Sequence, residues 1–287
     1  MASMRDIKRR RTSISSTQQI TKAMKLVSTV KLQKAKAHAE NTTPYFNYMY
    51  NTVCSMLAKT KNINHPYLQT REVGKKGVIV ITSNRGLAGG YNSNIVKMIR
   101  DDEVITEDNS QLYCIGRKGM EGLTHRGYTV AMDESDVMDA PTYDDASRIC
   151  KELLDAYAAG EISEIYLAYT HFKNTVVHEP KLLKLLPVEL SEEDMAASEG
   201  SNVLMNFEPN PEEAIGMIIP KYVTSLVYGA LIEAVASENG ARMQAMDSAT
   251  SNAEEMIDNL TLSYNRARQG SITQELTEII AGAEAIS

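Results

Sequence analysis

The apolar positions of this chain change period twice. From residue 4 to about residue 58, small and apolar side chains recur at Ile20, Ala23, Val27, Val30 and Ala37, in steps of three and four, with Lys34 filling the remaining slot. Ile7 and Ile14 extend the row at a seven-residue spacing. This period predicts a helix whose seam faces a partner. No glycine precedes Gly74, and Pro44 is the first proline, a boundary or a tolerated kink. The stripe is thin and set among Thr, Ser and Lys, so the helix needs a second helix or a sleeve around it. Residues 59–76 are polar, contain Asn64, Pro66 and Gly74, and read as a linker.

At residues 77–82 the pattern becomes a short continuous apolar run, GVIVIT, the mark of a strand buried on both faces. A glycine-rich turn at 83–90 follows, then a helix over 91–100 and a strand over 112–115 that ends at Gly116. Helices over 118–126 and 144–157, a strand over 162–169 and a strand or hairpin within 176–186 complete the alternation. The order predicts an α/β domain around a small sheet. Residues 191–211 are acidic, broken by Gly200, Pro209 and Pro211, and read as a loop or short strand region. Pro220 is expected to start or kink the last helix.

From Lys221 to Ile286 there is no proline. A helix of that length would reach roughly 100 Å, too long for the interior of an ordinary domain. Its seam runs through Met246, Ala249, Ala253, Met256, Leu260 and Tyr264. Gly229, Gly240, Gly270 and Gly282 each cost about 1 kcal/mol inside a helix, so close packing is expected at them. The natural partner is the first helix, packed antiparallel. The expected organisation is a coiled coil of residues 1–58 and 212–287 bracketing a central α/β domain at 75–190.

Composition narrows the function classes. Of 287 residues, 43% are apolar and 23% charged, ordinary for a soluble protein. Cys54, Cys114 and Cys150 are scattered, which argues against a disulfide framework or a zinc knuckle. The start leads into a polar basic run with no apolar signal segment. No apolar stretch is expected to approach the ~20 residues that cross a bilayer, so a membrane role would come through partners. The net charge of −7 is uneven. Residues 1–40 hold ten basic and two acidic residues, a balance of +8, and the remaining 247 carry −15. A basic end of this kind seeks an acidic partner.

Candidate chemistry is sparse. The turn at 83–90 lies between a strand and a helix, where phosphate can bind, yet neither GxGxxG nor GxxxxGK[ST] is present. A structural turn or a partner contact is the better reading. Lys8, Arg9, Arg10 and Arg11 lack the aromatic interleaving of a nucleic-acid site, so they read as a solvated face or as the complement of an acidic protein. Glu275 and Glu278 share a helix face, but no histidine converges on them. The five histidines show no metal-ligand spacing. A small-molecule enzyme and a nucleic-acid scaffold remain as alternatives without a supporting constellation.

Five stretches carry a resemblance: QITKAMKLVS at 19–28, TSNRGLAGGYN at 82–92, ENGARMQAMDSATSNA at 238–253, YNRARQ at 264–269 and ITQELTEIIAGA at 272–283. Through them the chain resembles the gamma subunits of bacterial F-type ATP synthases over nearly its whole length. The resemblance implies a rotor shaft: an antiparallel two-helix coiled coil with a Rossmann-like α/β domain, non-catalytic and without a cofactor. The implied partners are three alpha and three beta subunits around the helices, the epsilon subunit, and the c-ring. Proton (or sodium) flow would turn the ring and the shaft with it. No nucleic acid is implied, and the membrane is reached only through the c-ring, from the cytoplasmic side of the cell membrane. Residues at family positions near beta-subunit contacts are Lys22, Met24, Arg242, Arg268, Gln269, Thr273 and Glu275. Leu204, Met205, Phe207 and Glu208 are the implied c-ring contacts. The chain departs from the family where Asn84 replaces an aspartate, Ala88 a cysteine, and Pro220 a charged or polar helix residue.

Overall fold

The computed structural model describes residues 3–59, 65–69, 71, 74–188 and 210–284. Helix α1 spans Met4–Lys59 and runs through Pro44 without a break. Ser3 caps it: its hydroxyl accepts from the Asp6 amide (3.2 Å) and donates to the Asp6 carboxylate (2.8 Å). The final helix, here α5, spans Pro211–Glu284. Its start is set by Asn210, whose side chain accepts from the Glu213 amide and donates back to the Glu213 carboxylate, both at 2.8 Å, with proline in the first helical position. Pro220 therefore neither starts nor ends this helix; it lies inside it.

Between them lie β1 (Lys75–Ile81), α2 (Tyr91–Arg100), β2 (Ser110–Ile115), α3 (Arg117–Thr124), β3 (Thr129–Asp133), α4 (Tyr143–Ala159), β4 (Ile162–Phe172) and β5 (His178–Leu186), with short 3-10 turns at Pro66–Leu68 and Ser135–Asp139. The sheet order is β3-β2-β1-β4-β5, parallel except for the β4–β5 pair. Consecutive residues of β1 alternate between two cores, which is why its sequence is apolar throughout. Ile79 and Ile81 face a cluster with Ile149 and Leu153 of α4, Val53 and Met56 of α1, and Val223, Val227 and Leu231 of α5. Val78 and Val80 face Ile95 and Ile99 of α2 and Leu123 of α3. The α/β pattern read from the sequence is this sheet, with 176–186 resolved as the antiparallel edge strand β5.

The chain divides into two compact units: residues 29–241, and the pair formed by 1–28 with 242–287. In the second unit the helices run antiparallel. Thr21 and Thr250 share a hydroxyl hydrogen bond (2.8 Å), the Lys25 ammonium donates to Asp247 (2.6 Å), and the Arg11 guanidinium lies 5.8 Å from the centre of the Tyr264 ring. In the first unit, Tyr228 of α5 meets His38 and Phe46 of α1, and Tyr222 meets Tyr50, again antiparallel.

Two expectations need correction. Of the stripe expected to be the α1 seam, Ile20, Val27 and Val30 are 60%, 57% and 66% exposed. Over this stretch the buried side of α1 is instead Thr21, Ser28, Leu32 and Ala35. Small side chains let two helices approach closely, and this seam gains more from closeness than from apolar area. The seam expected on α5 is largely present: Met246 and Ala253 are buried, Ala249, Leu260 and Tyr264 half-buried, and only Met256 turns outward. The second correction concerns apolar length. One 18-residue window of α5 reaches a mean hydropathy of 1.5, apolar enough by composition to cross a bilayer, and 56% of it is buried inside the protein. A helix apolar on all sides is also what a core demands.

Candidate functional site

The strand–glycine turn–helix unit after β1 is the first place to look for ligand chemistry, because ligands of open α/β sheets bind beyond the strand carboxyl ends where the strand order reverses. Here that point lies between β1 and β4. The turn is knit by its own side chains. Thr82 Oγ1 donates to the Gly116 carbonyl (3.0 Å) and accepts from the Gly119 amide (2.9 Å). The Ser83 amide donates to Asn92 Oδ1 (2.9 Å), and the Asn92 amide group donates to the Ser83 hydroxyl (2.8 Å). Asn84 donates to the Ser135 carbonyl (2.7 Å) and accepts from the Arg117 amide (3.1 Å). An aspartate could accept but not donate, so Asn84 suits this chain's contact with the Ser135 turn. Leu87 has a left-handed backbone (φ 63°) and is 64% exposed.

The crevice beyond the turn is occupied by the chain itself. Tyr91, first residue of α2, donates its hydroxyl proton to the Ala234 carbonyl of α5 (3.2 Å). Ser237 donates to the Thr170 carbonyl at the end of β4 (3.1 Å), and His171 meets the Glu233 carboxylate (2.7 Å). Ala234, Ala236, Ser237 and Asn239 are buried. Small residues along this stretch of α5 let the helix settle where a nucleotide would lie in a dinucleotide-binding sheet. The structural reading of the turn is therefore the better supported one.

The seven residues expected at ring contacts all fall in the unit of residues 1–28 and 242–287. Lys22, Arg268, Gln269, Thr273 and Glu275 are exposed; Met24 and Arg242 are half-buried. They do not form one cluster. Lys22, Met24 and Arg242 lie near the Lys25–Asp247 ion pair. Arg268 lies 21 residues beyond Asp247, roughly 30 Å along the helix. Extending the register of the Arg11–Tyr264 contact brings the start of α1 opposite roughly residue 270 of α5. Past that point the helix has no antiparallel neighbour among the described residues, and residues 272–283 are exposed on every side. Thr273 donates to the Gln269 carbonyl (2.9 Å) and Glu275 accepts from Ser271 (3.5 Å), both bonds within the helix itself. Leu204, Met205, Phe207 and Glu208 lie outside the described residues.

Sequence reasoning missed one part of this surface, the outward apolar row of α1. Periodicity marks the same residues, but as a seam toward a partner helix. The row Ile272, Leu276, Ile279 and Ile280 is also exposed, 68% at Ile279. Contiguous exposed apolar side chains of this kind mark an interaction surface.

Comparisons with known proteins agree on one family. A family model described as ATP synthase matches residues 3–286. The ATP synthase gamma chain of Lachnoclostridium phytofermentans is 64% identical, with all of both chains covered. The sodium ion specific ATP synthase gamma chain of Acetobacterium woodii is 39% identical over 99% of each chain. Among solved structures, a chain of the Tetrahymena thermophila mitochondrial ATP synthase central stalk and c-ring is 26% identical, covering 80% of this chain and 99% of that one, with a TM-score of 0.61.

Proposed function

This chain belongs to the ATP synthase gamma-chain family, and we infer that the exposed faces of its two-helix unit are what the catalytic ring grips. The chain is a non-catalytic rotor subunit of a membrane-associated ATP synthase, coupling rotation in the membrane sector to catalysis in the F1 sector. Its partners are the alpha and beta subunits, the epsilon subunit and the c-ring. The observation that carries the gripping surface is the outward apolar row at Ile20, Val27, Ile272, Leu276, Ile279 and Ile280, interleaved with exposed Lys22, Arg268, Gln269 and Glu275. Burial of that row inside a sleeve supplies adhesion that slides, and charged hydrogen bonds beside it resist slip.

In this reading the ring contacts divide into two zones. Lys22, Met24 and Arg242 act along the paired helices, and Arg268, Gln269, Thr273 and Glu275 act at and beyond the start of α1. The functional division is by helix: residues 1–58 and 212–287 form the shaft, and 75–190 form the α/β domain. The c-ring contact is assigned to Leu204, Met205, Phe207 and Glu208, at the acidic, proline-bounded segment before α5. The chain then works peripherally, on the cytoplasmic side of the cell membrane.

Co-expression with alpha and beta subunits tests the reading. A purified complex of three alpha, three beta and one copy of this chain is expected, and a one-to-one ratio overturns it. Removing residues 263–287 should lower the coupling of hydrolysis to ion transport while the α/β domain stays folded by circular dichroism. The isolated chain should hydrolyse no ATP.

A further inference from the structure

Among the described residues, three buried side-chain polar atoms lack a hydrogen-bond partner: Thr170 Oγ1, His178 Nδ1 and His178 Nε2. They sit together. Phe172 pairs with His178 and Thr170 with Pro180 across β4 and β5, so strand alternation puts all four on one side of the hairpin end. The imidazole is packed against Phe172, with ring centres 5.8 Å apart. It also meets Gly240 of α5, where a Cβ would stand 2.6 Å from Cε1 and 2.9 Å from Nε2. Gly240 is thus a seat cut for this ring, at the end of the stretch where Glu233 and Ser237 already hold β4. A hydrophobic side chain would fill such a seat without orphaned nitrogens. A histidine there keeps the contact conditional on its charge.

We propose that the β4–β5 hairpin end is an acid-released latch on α5, closed by neutral His178 on Gly240 and opened when the ring is protonated. Among the described residues, no carboxylate pairs with the His178 ring. On β4, His171 is engaged with Glu233 of α5. In the hairpin loop, Lys173 is paired with Glu179 of β5 (3.0 Å), and Lys181 of β5 carries the wrong sign. On α5, Glu233 is engaged by His171 and Glu238 lies two residues before the seat, while burial lowers the His178 pKa. On α2, which also packs on β5, Lys97 and Arg100 belong to the last turn, away from the hairpin end, and Arg100 is paired with Asp101 (2.6 Å).

The sign follows. A released ring takes up its proton near the ordinary value of 6.5, whereas the docked ring resists. Docking is therefore at full strength above 6.5 and weakens as pH falls through it.

The test uses hydrogen exchange of the full chain between about pH 8 and about pH 5.5, the range in which histidine changes charge, with rates corrected for intrinsic pH dependence. In the unaltered chain, exchange in residues 172–180 should rise several-fold on acidification. His178→Phe, and the smaller His178→Leu as a second apolar variant, should abolish the rise. Gly240→Ala should raise exchange already at the alkaline end, because its methyl displaces the ring. A rise that persists in both apolar variants, or no rise in the unaltered chain, overturns the proposal.

Discussion

Between residues 211 and 241, α5 buries Ile215, Ile219, Val223, Val227, Leu231 and Ala234, and its neighbours are a sheet, α4 and α1. Between 242 and 284 the same helix buries Met246 and Ala253. Its partner there is α1, met through Thr21–Thr250 and Lys25–Asp247. The first stretch is held by apolar area removed from water, about 25 cal/mol per Å². The second is held by close approach of small residues and a few polar bonds. One continuous backbone thus carries a part that stands on its own core and a part whose apolar side chains remain on the surface. A shaft that must turn inside a sleeve needs that second kind of helix: slim, with its adhesive face outward.

Substitutions along α5 should separate the two stretches. Leu231→Ala empties a fully buried site and should cost about 2–5 kcal/mol in denaturant unfolding. A cost near zero would mean that this stretch is no core at all. Thr250→Ala removes a half-buried hydroxyl pair and should cost about 0.5–1.5 kcal/mol, read from the melting of the 1–28 and 242–287 unit. Gly270→Ala should stabilise the same unit by about 0.5–1 kcal/mol, because a Cβ at that position meets open space. Destabilisation there would reveal a contact the structure lacks. Asp247→Asn should change stability by less than about 1 kcal/mol, since both partners are substantially exposed, and the change should shrink further at high salt.

The glycines of α5 show how far such reasoning reaches from sequence. Close packing is expected at Gly229, Gly240, Gly270 and Gly282. Gly240 meets His178 and Gly229 meets Phe46, where a Cβ would stand 3.0 Å from Cε2. Gly270 and Gly282 face open space in the isolated chain. The expectation was right where this chain supplies the neighbour. It does not hold where no part of the chain comes near. Strand β3 was missed for a related reason. Thr129–Asp133 is a short edge strand of mixed polarity, exposed at every second residue, and gives no continuous apolar run to detect.

Local rules were enough to determine that two proline-poor helices enclose an α/β sheet, that β1 is buried on both faces, and that α5 carries a seam of small residues. Each follows from a period, a cap or a breaker written in neighbouring residues. Tertiary contacts decided the rest. They turned Ile20, Val27 and Val30 outward, laid α5 across the crevice beside Tyr91, and seated His178 on Gly240. Periodicity reports that a helix has two faces, but the choice of inner face depends on the shape of the partner. In α1 the close-fitting face through Thr21 and Ser28 is small and polar, and it turns apolar only from Leu32 onward.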